Sequence, residues 1–73
     1  MKNIEFRLRE EEEFIKLGQL LKACNVVSNG GEAKLRILNG DAIVNGNVEK
    51  ARGKKIKEGD TVKINNININ IIK

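Results

Sequence analysis

The stretch Ser28-Asn29-Gly30-Gly31-Glu32-Ala33-Lys34 constrains this chain most, because few conformations satisfy it. With Asn29 as N-cap, Glu32 falls at the third helical position. That is the spacing of a capping box, in which side chains satisfy backbone N–H groups that the first helical turn leaves without partners. The spacing predicts a helix from Ser28 or Asn29, with Ala33, Ile37 and the neighbouring Leu38 facing inward. Asn39-Gly40 stops it, since glycine takes positive φ without a Cβ penalty. Asp41 to Asn45 then reads as a short strand, and Asn45-Gly46 as a type I′ hairpin turn after which Val48 pairs back.

The flanking segments obey two other periods. Ile4, Phe6 and Leu8 alternate with Glu5, Arg7 and Arg9, which predicts a half-buried strand over Lys2 to Arg9. Glu10 to Glu13 interrupts it as a solvated loop or helix start. Leu17, Leu20, Leu21 and Cys24 recur at helical spacing, predicting a first helix over Phe14 to Asn25 that Asn25 ends in a left-handed conformation. Val26-Val27 links the two helices through the core. Lys50 to Lys57 is a basic connection, and Glu58-Gly59-Asp60 a turn. Thr61 to Ile64 and Ile67 to Ile71 read as strands joined at Asn65-Asn66. Strands joined by tight turns are largely antiparallel. The expected architecture is α+β, one domain over residues 1–73, with two helices packed on a small, mainly antiparallel sheet of four to five strands.

Composition limits the chemistry. A chain of 73 residues is one domain whose stability should be modest. There is no His, which removes the commonest general base and metal ligand. Cys24 is the one cysteine, so it forms no internal disulfide and no multi-thiolate zinc site, and its helical spacing marks it as a small core residue. Ser28 has no His partner, and the four adjacent glutamates do not offer two carboxyls in different environments. No residue set points to catalysis, a metal, a cofactor or a small-molecule substrate. No signal-peptide pattern opens the chain and no apolar run approaches a membrane span, so a cytoplasmic protein is expected.

Charge is distributed unevenly. The formal net charge is +4, but residues 14–73 hold eleven basic and five acidic side chains. A basic body with a short acidic segment favours a polyanionic partner. The start of the second helix offers unpaired N–H groups, Gly30 and Gly31 let a phosphate approach the backbone, and Lys34 adds a full charge. Lys50, Arg52, Lys54 and Lys55 extend the positive surface beyond the hairpin, Arg52 by forking onto a phosphate and the lysines as point charges. Lys22 and Arg36 add to it from the helices.

Four runs, taken in order, carry a resemblance. They are Lys16-Leu17-Gly18-Gln19-Leu20-Leu21-Lys22, Ser28 to Lys34, Gly40 to Gly46, and Lys54-Lys55-Ile56-Lys57-Glu58-Gly59-Asp60. Together they resemble the S4 domain, the small RNA-binding module of ribosomal protein S4, tyrosyl-tRNA synthetases and RNA pseudouridine synthases. The likeness is greatest to stand-alone small S4-domain proteins of the YaaA/YbcJ type, and the motif core covers about residues 14–64. The resemblance implies the helix-pair and hairpin arrangement called the αL motif, with RNA bound across the helices and adjoining loop. By position it implies RNA-contacting roles for Lys16, Lys34 and Asn45, and for Asn29 and Gly30 with a departure. The wider family often carries Ser-Arg at Asn29-Gly30 and a basic residue at Ile43, which implies a reduced or shifted contact set here. The catalytic domains that S4 modules usually accompany are absent from this sequence.

Phe6 and Phe14 are the only aromatics, so stacking platforms for single strands are missing. Structured RNA, ribosomal or transfer, free or within the ribosome or another ribonucleoprotein, is the expected partner, read by shape and phosphate contacts. Two alternatives stay open. One is a protein-interaction adaptor on the same fold, with Glu10 to Glu13 docking a basic partner. The other is a DNA-associated accessory protein of replication or repair.

Overall fold

Period-two segments from opposite ends of the chain lie side by side. The computed structural model describes residues 2–73. Strand β1 (Lys2–Arg7) pairs in parallel with the last strand, β7 (Ile67–Ile72), in a register from Lys2 opposite Ile67 to Arg7 opposite Ile72. Between them run β2 (Ile15–Lys16), α1 (Leu17–Ala23), α2 (Gly30–Leu38), β3 (Ala42–Val44), β4 (Asn47–Val48), β5 (Lys55–Ile56) and β6 (Thr61–Ile64). The main sheet has the order β1-β7-β6-β3-β4, and β2 and β5 form a separate antiparallel pair. The β3–β4, β3–β6 and β6–β7 pairs are antiparallel, as the tight turns require. The architecture is the expected α+β, two helices with a mainly antiparallel five-stranded sheet; the parallel β1–β7 pair places β1 at one edge.

Alternation puts Ile69, Ile71, Val62 and Ile64 on one face of the sheet, where they are buried with Leu17, Leu20 and Leu21 of α1 and Ala33 and Ile37 of α2. Each fully buried aliphatic side chain contributes about 1.5–3 kcal/mol. On the other face the amide of Asn68 donates to Asn3 Oδ1 across the β1–β7 pair. Cys24 is half-buried against the core, and that burial pushes its thiol pKa up.

Both helices end in a left-handed residue. At Asn25 (φ 58°) and Gly40 (φ 82°), paired N–H donations return to the last turn: Asn25 to Lys22 O and Val26 to Leu21 O, Gly40 to Ile37 O and Asp41 to Arg36 O. This is the Schellman pattern, and it sends buried Val27 back into the core. The Asn45-Gly46 turn has φ 51° and 86°, as a type I′ hairpin needs.

Several boundaries differ from expectation. The first helix begins at Leu17 rather than Phe14, because Ile15 and Lys16 are extended and pair with Ile56 and Lys55. The first strand ends at Arg7; Leu8 is still buried, its N–H donating to Ile72 O. Leu38 does not face inward but is 52% exposed. Ala33 and Ile37 share a face at i, i+4, and the next residue lies about 100° further round the helix. Within the basic connection, Ile56 is fully buried and anchors β5. Glu10 to Glu13 lies in an exposed loop that turns back on itself where Glu12 N–H donates to Arg9 O.

Candidate nucleic-acid interface

The start of α1 has no side-chain cap, and its N-cap is Lys16. Its first two N–H groups donate instead to distant carbonyls, Leu17 to Lys54 O at 2.9 Å and Gly18 to Arg52 O at 3.0 Å. These two bonds fix the loop 51–54 against the helix and set Arg52 beside Gly18. The start of α2 is satisfied locally. Asn29 Oδ1 accepts from Glu32 N–H at 2.8 Å, and Glu32 Oε1 accepts from Ser28 N–H at 2.6 Å. The second half of the box reaches one residue beyond the N-cap expected from sequence.

Between these two helix starts lies an open groove of about 350 Å³, lined by Lys16, Gly18, Gln19 and Lys22 of the first helix region, Gly30 and Ala33 of the second, and Arg52 and Gly53 of the loop. Three cations and no carboxylate line it. The formal charge of the lining is therefore wholly positive, and such a concavity attracts anions.

Of the residues singled out in the sequence, Lys16, Lys22, Gly30 and Arg52 come together in this groove. Asn29, Gly31 and Lys34 stand beside it on the start of α2, exposed but outside the lining. Lys54 is exposed on the same loop and contributes its carbonyl to the α1 start. The rest lie elsewhere. Arg36 pairs with Asp41 at 3.0 Å. Lys55 Nζ sits 5.0 Å from the centroid of the Phe14 ring. The exposed Lys50 passes near Gly40, its Cε 3.7 Å from where a Cβ on that glycine would lie. The Asn45 amide donates to Asp60 Oδ1 and accepts from Thr61 N–H, so its polar atoms tie the hairpin turn to the start of β6.

Gln19, Gly18 and Gly53 were not among the candidate residues. Gln19 was legible as a polar position off the apolar stripe of α1, three residues from both Lys16 and Lys22. Gly53 carries no sequence signal beyond loop freedom; only the carbonyl contacts of the α1 start bring it here.

A helix pair followed by a tight Asn-Gly hairpin, with Lys16, Lys22 and Arg52 on one groove between the helices, defines a small α+β module with a positively charged concavity. A family model described as S4 domain matches residues 6–72, and the chain belongs to that family. S4 domains bind RNA, so an RNA-binding role in general follows from membership. Among curated proteins, the probable ribosome maturation protein RlbA of Bacillus subtilis (strain 168) is 39% identical over 54 residues, which are 74% of this chain and 76% of that protein. No helix among the described residues is long and apolar enough to cross a membrane.

Proposed function

We propose that the chain binds structured ribosomal RNA through the groove between its helix starts and acts in ribosome maturation, without catalysis. The observation that carries this is the convergence of Lys16, Lys22 and Arg52 from two elements distant in sequence on one groove whose lining contains no carboxylate. Lys34 and Lys54 flank it and widen the positive surface. The ribosomal part of the reading is supported by similarity to a protein named for ribosome maturation. Structured RNA is favoured over unpaired strands because no aromatic side chain lines the groove.

Filter binding to small- and large-subunit ribosomal RNA transcribed in vitro tests this, with duplex DNA as competitor. If the three groove cations each neutralise a phosphate, log K should fall against log salt with a slope of about −2 to −3. Combined charge reversal, Lys16→Glu with Lys22→Glu and Arg52→Glu, is expected to abolish retention while the far-UV spectrum stays unchanged. Affinity that is flat with salt, or indifferent to the reversal, would move the site elsewhere. Equal competition by duplex DNA would favour a DNA-associated role.

A second reading, contact with a protein, has its own observation. Leu35, Leu38 and Val48 are 63%, 52% and 58% exposed, large apolar side chains that the fold leaves uncovered. Capture of a ribosomal or other protein that survives nuclease and is lost on Leu35→Lys with Leu38→Lys would establish it.

A further inference from the structure

Of the seven glycines, three have positive φ and four do not. Gly40, Gly46 and Gly59 have φ of 82°, 86° and 91°, a region L side chains rarely adopt, so the backbone itself requires them. Gly31 lacks positive φ, a Cβ there would meet Asn29 Oδ1 at 3.4 Å, and it lies outside the groove lining; Gly18, Gly30 and Gly53, likewise without positive φ, belong to it. Space is not the reason for them either. A Cβ at Gly18 would meet Arg52 Cβ and O at 3.6 Å, ordinary van der Waals contact, and a Cβ at Gly30 or Gly53 would meet nothing within 4 Å. Gly18 and Gly30 are the second and first residues of their helices, positions whose backbone a residue with a Cβ also adopts. Neither conformation nor packing within the chain explains these three residues, and all three line the same groove.

A surface stripped of Cβ atoms suits another molecule's close approach to the backbone. The remaining lining narrows what that molecule is. The cations Lys16, Lys22 and Arg52 suit phosphates, and Gln19 offers an amide that both donates and accepts. Ala33 is the one apolar side chain, and no ring is present on which a base could stack. The group that fits is the sugar edge of an RNA strand: a ribose whose 2′-hydroxyl both donates and accepts, between two phosphates. In A-form RNA that edge is displayed in a wide, shallow minor groove.

We infer that Gly18, Gly30 and Gly53 form a close-contact seat for the ribose–phosphate edge of structured RNA, with Gln19 bonding a 2′-hydroxyl and the three cations holding the adjoining phosphates. This rests on the RNA-binding reading above. It adds that discrimination of RNA from DNA resides in this groove.

The test is Gly18→Ala with Gly30→Ala and Gly53→Ala, measured against the same ribosomal RNA transcripts and against DNA of matching sequence. The triple variant is expected to melt at or above the parent's Tm. Its RNA affinity should drop about tenfold or more, the scale of inserting methyl groups into a close-packed contact. The slope of log K against log salt should stay unchanged, because no cation is removed. Gln19→Leu should lower RNA affinity while leaving DNA affinity as it was. If the triple variant melts below the parent, Gly18→Ala alone carries the test, since alanine is the better helix residue there. Parent-like RNA affinity in the glycine variants, with binding lost on charge reversal, overturns the seat and leaves the RNA-binding reading intact. Failure of the parent to retain RNA would overturn both.

Discussion

The two helices of this domain begin in opposite ways. At α2 the cap is local, within five residues: Ser28 N–H, Asn29 Oδ1 and the Glu32 backbone and carboxylate close on one another. At α1 nothing local helps. The Leu17 and Gly18 N–H groups are satisfied by carbonyls more than thirty positions away in the chain, at Lys54 and Arg52. The difference decides where the binding groove is. Because α1 borrows its cap from the 51–54 loop, Arg52 is held beside Lys16 and Lys22, whereas a self-sufficient α1 would leave that loop free. The missing cap is thus part of the interface.

The largest expected effect comes from breaking the borrowed cap. Ile56 is fully buried in β5, directly after the loop, and pairs with Ile15 just before α1. Ile56→Ala should cost about 2–5 kcal/mol in urea denaturation, as deletion of a buried branched side chain usually does. That is a large fraction of what a small domain has. Hydrogen exchange sharpens the comparison: protection at Leu17 and Gly18 should fall more than at Ala33, whose N–H donates to Asn29 O within the local cap of α2. Equal losses at both helix starts would mean that the loop is not what holds α1.

A smaller effect is expected from the local cap. Asn29→Ala removes the acceptor of the Glu32 N–H and should cost about 0.5–2 kcal/mol, with Asn29→Asp retaining most of the stability. Protection at Leu17 and Gly18 should not change beyond this global loss. A specific collapse of the α1 start in Asn29→Ala would show that the two caps are coupled.

The same contrast explains what could be read in the chain. The α2 start, its Gly40 stop, the Asn45-Gly46 turn and the alternating strands were legible because their physics is local: an N-cap, positive φ and period two. The start of α1 lies three residues later than the sequence suggests, because Phe14 and Ile15 are apolar enough to extend a helical stripe and only the pairing of Ile15 with Ile56 reveals a strand. The β1–β7 pairing was hidden for a similar reason, since alternation gives the buried face of each strand but not its partner or direction. Among the candidate contacts, Lys16, Lys22, Gly30 and Arg52 could be named as cations and glycines, but their meeting depends on two backbone hydrogen bonds that leave no composition signal. Arg36 looked equivalent to them in sequence, yet Asp41 takes its guanidinium.

The smallest expected effect tests whether the α2 cap and the groove oppose each other. Glu32 places a carboxylate at the start of α2, two residues from Gly30, where it favours the helix and repels an approaching phosphate. Glu32→Gln keeps an oxygen that can accept from Ser28 N–H but removes the charge. Stability should fall by about 0.3–1 kcal/mol, the usual size of a charge–helix interaction at a surface. RNA affinity should rise about two- to threefold at low salt and return to the parent's value at high salt, where exposed charges are screened. The opposite signs are the point: a residue that only supports the fold would lower both. If Glu32→Gln weakened RNA binding, the carboxylate would be contacting the RNA, and the start of α2 would belong inside the interface instead of at its edge.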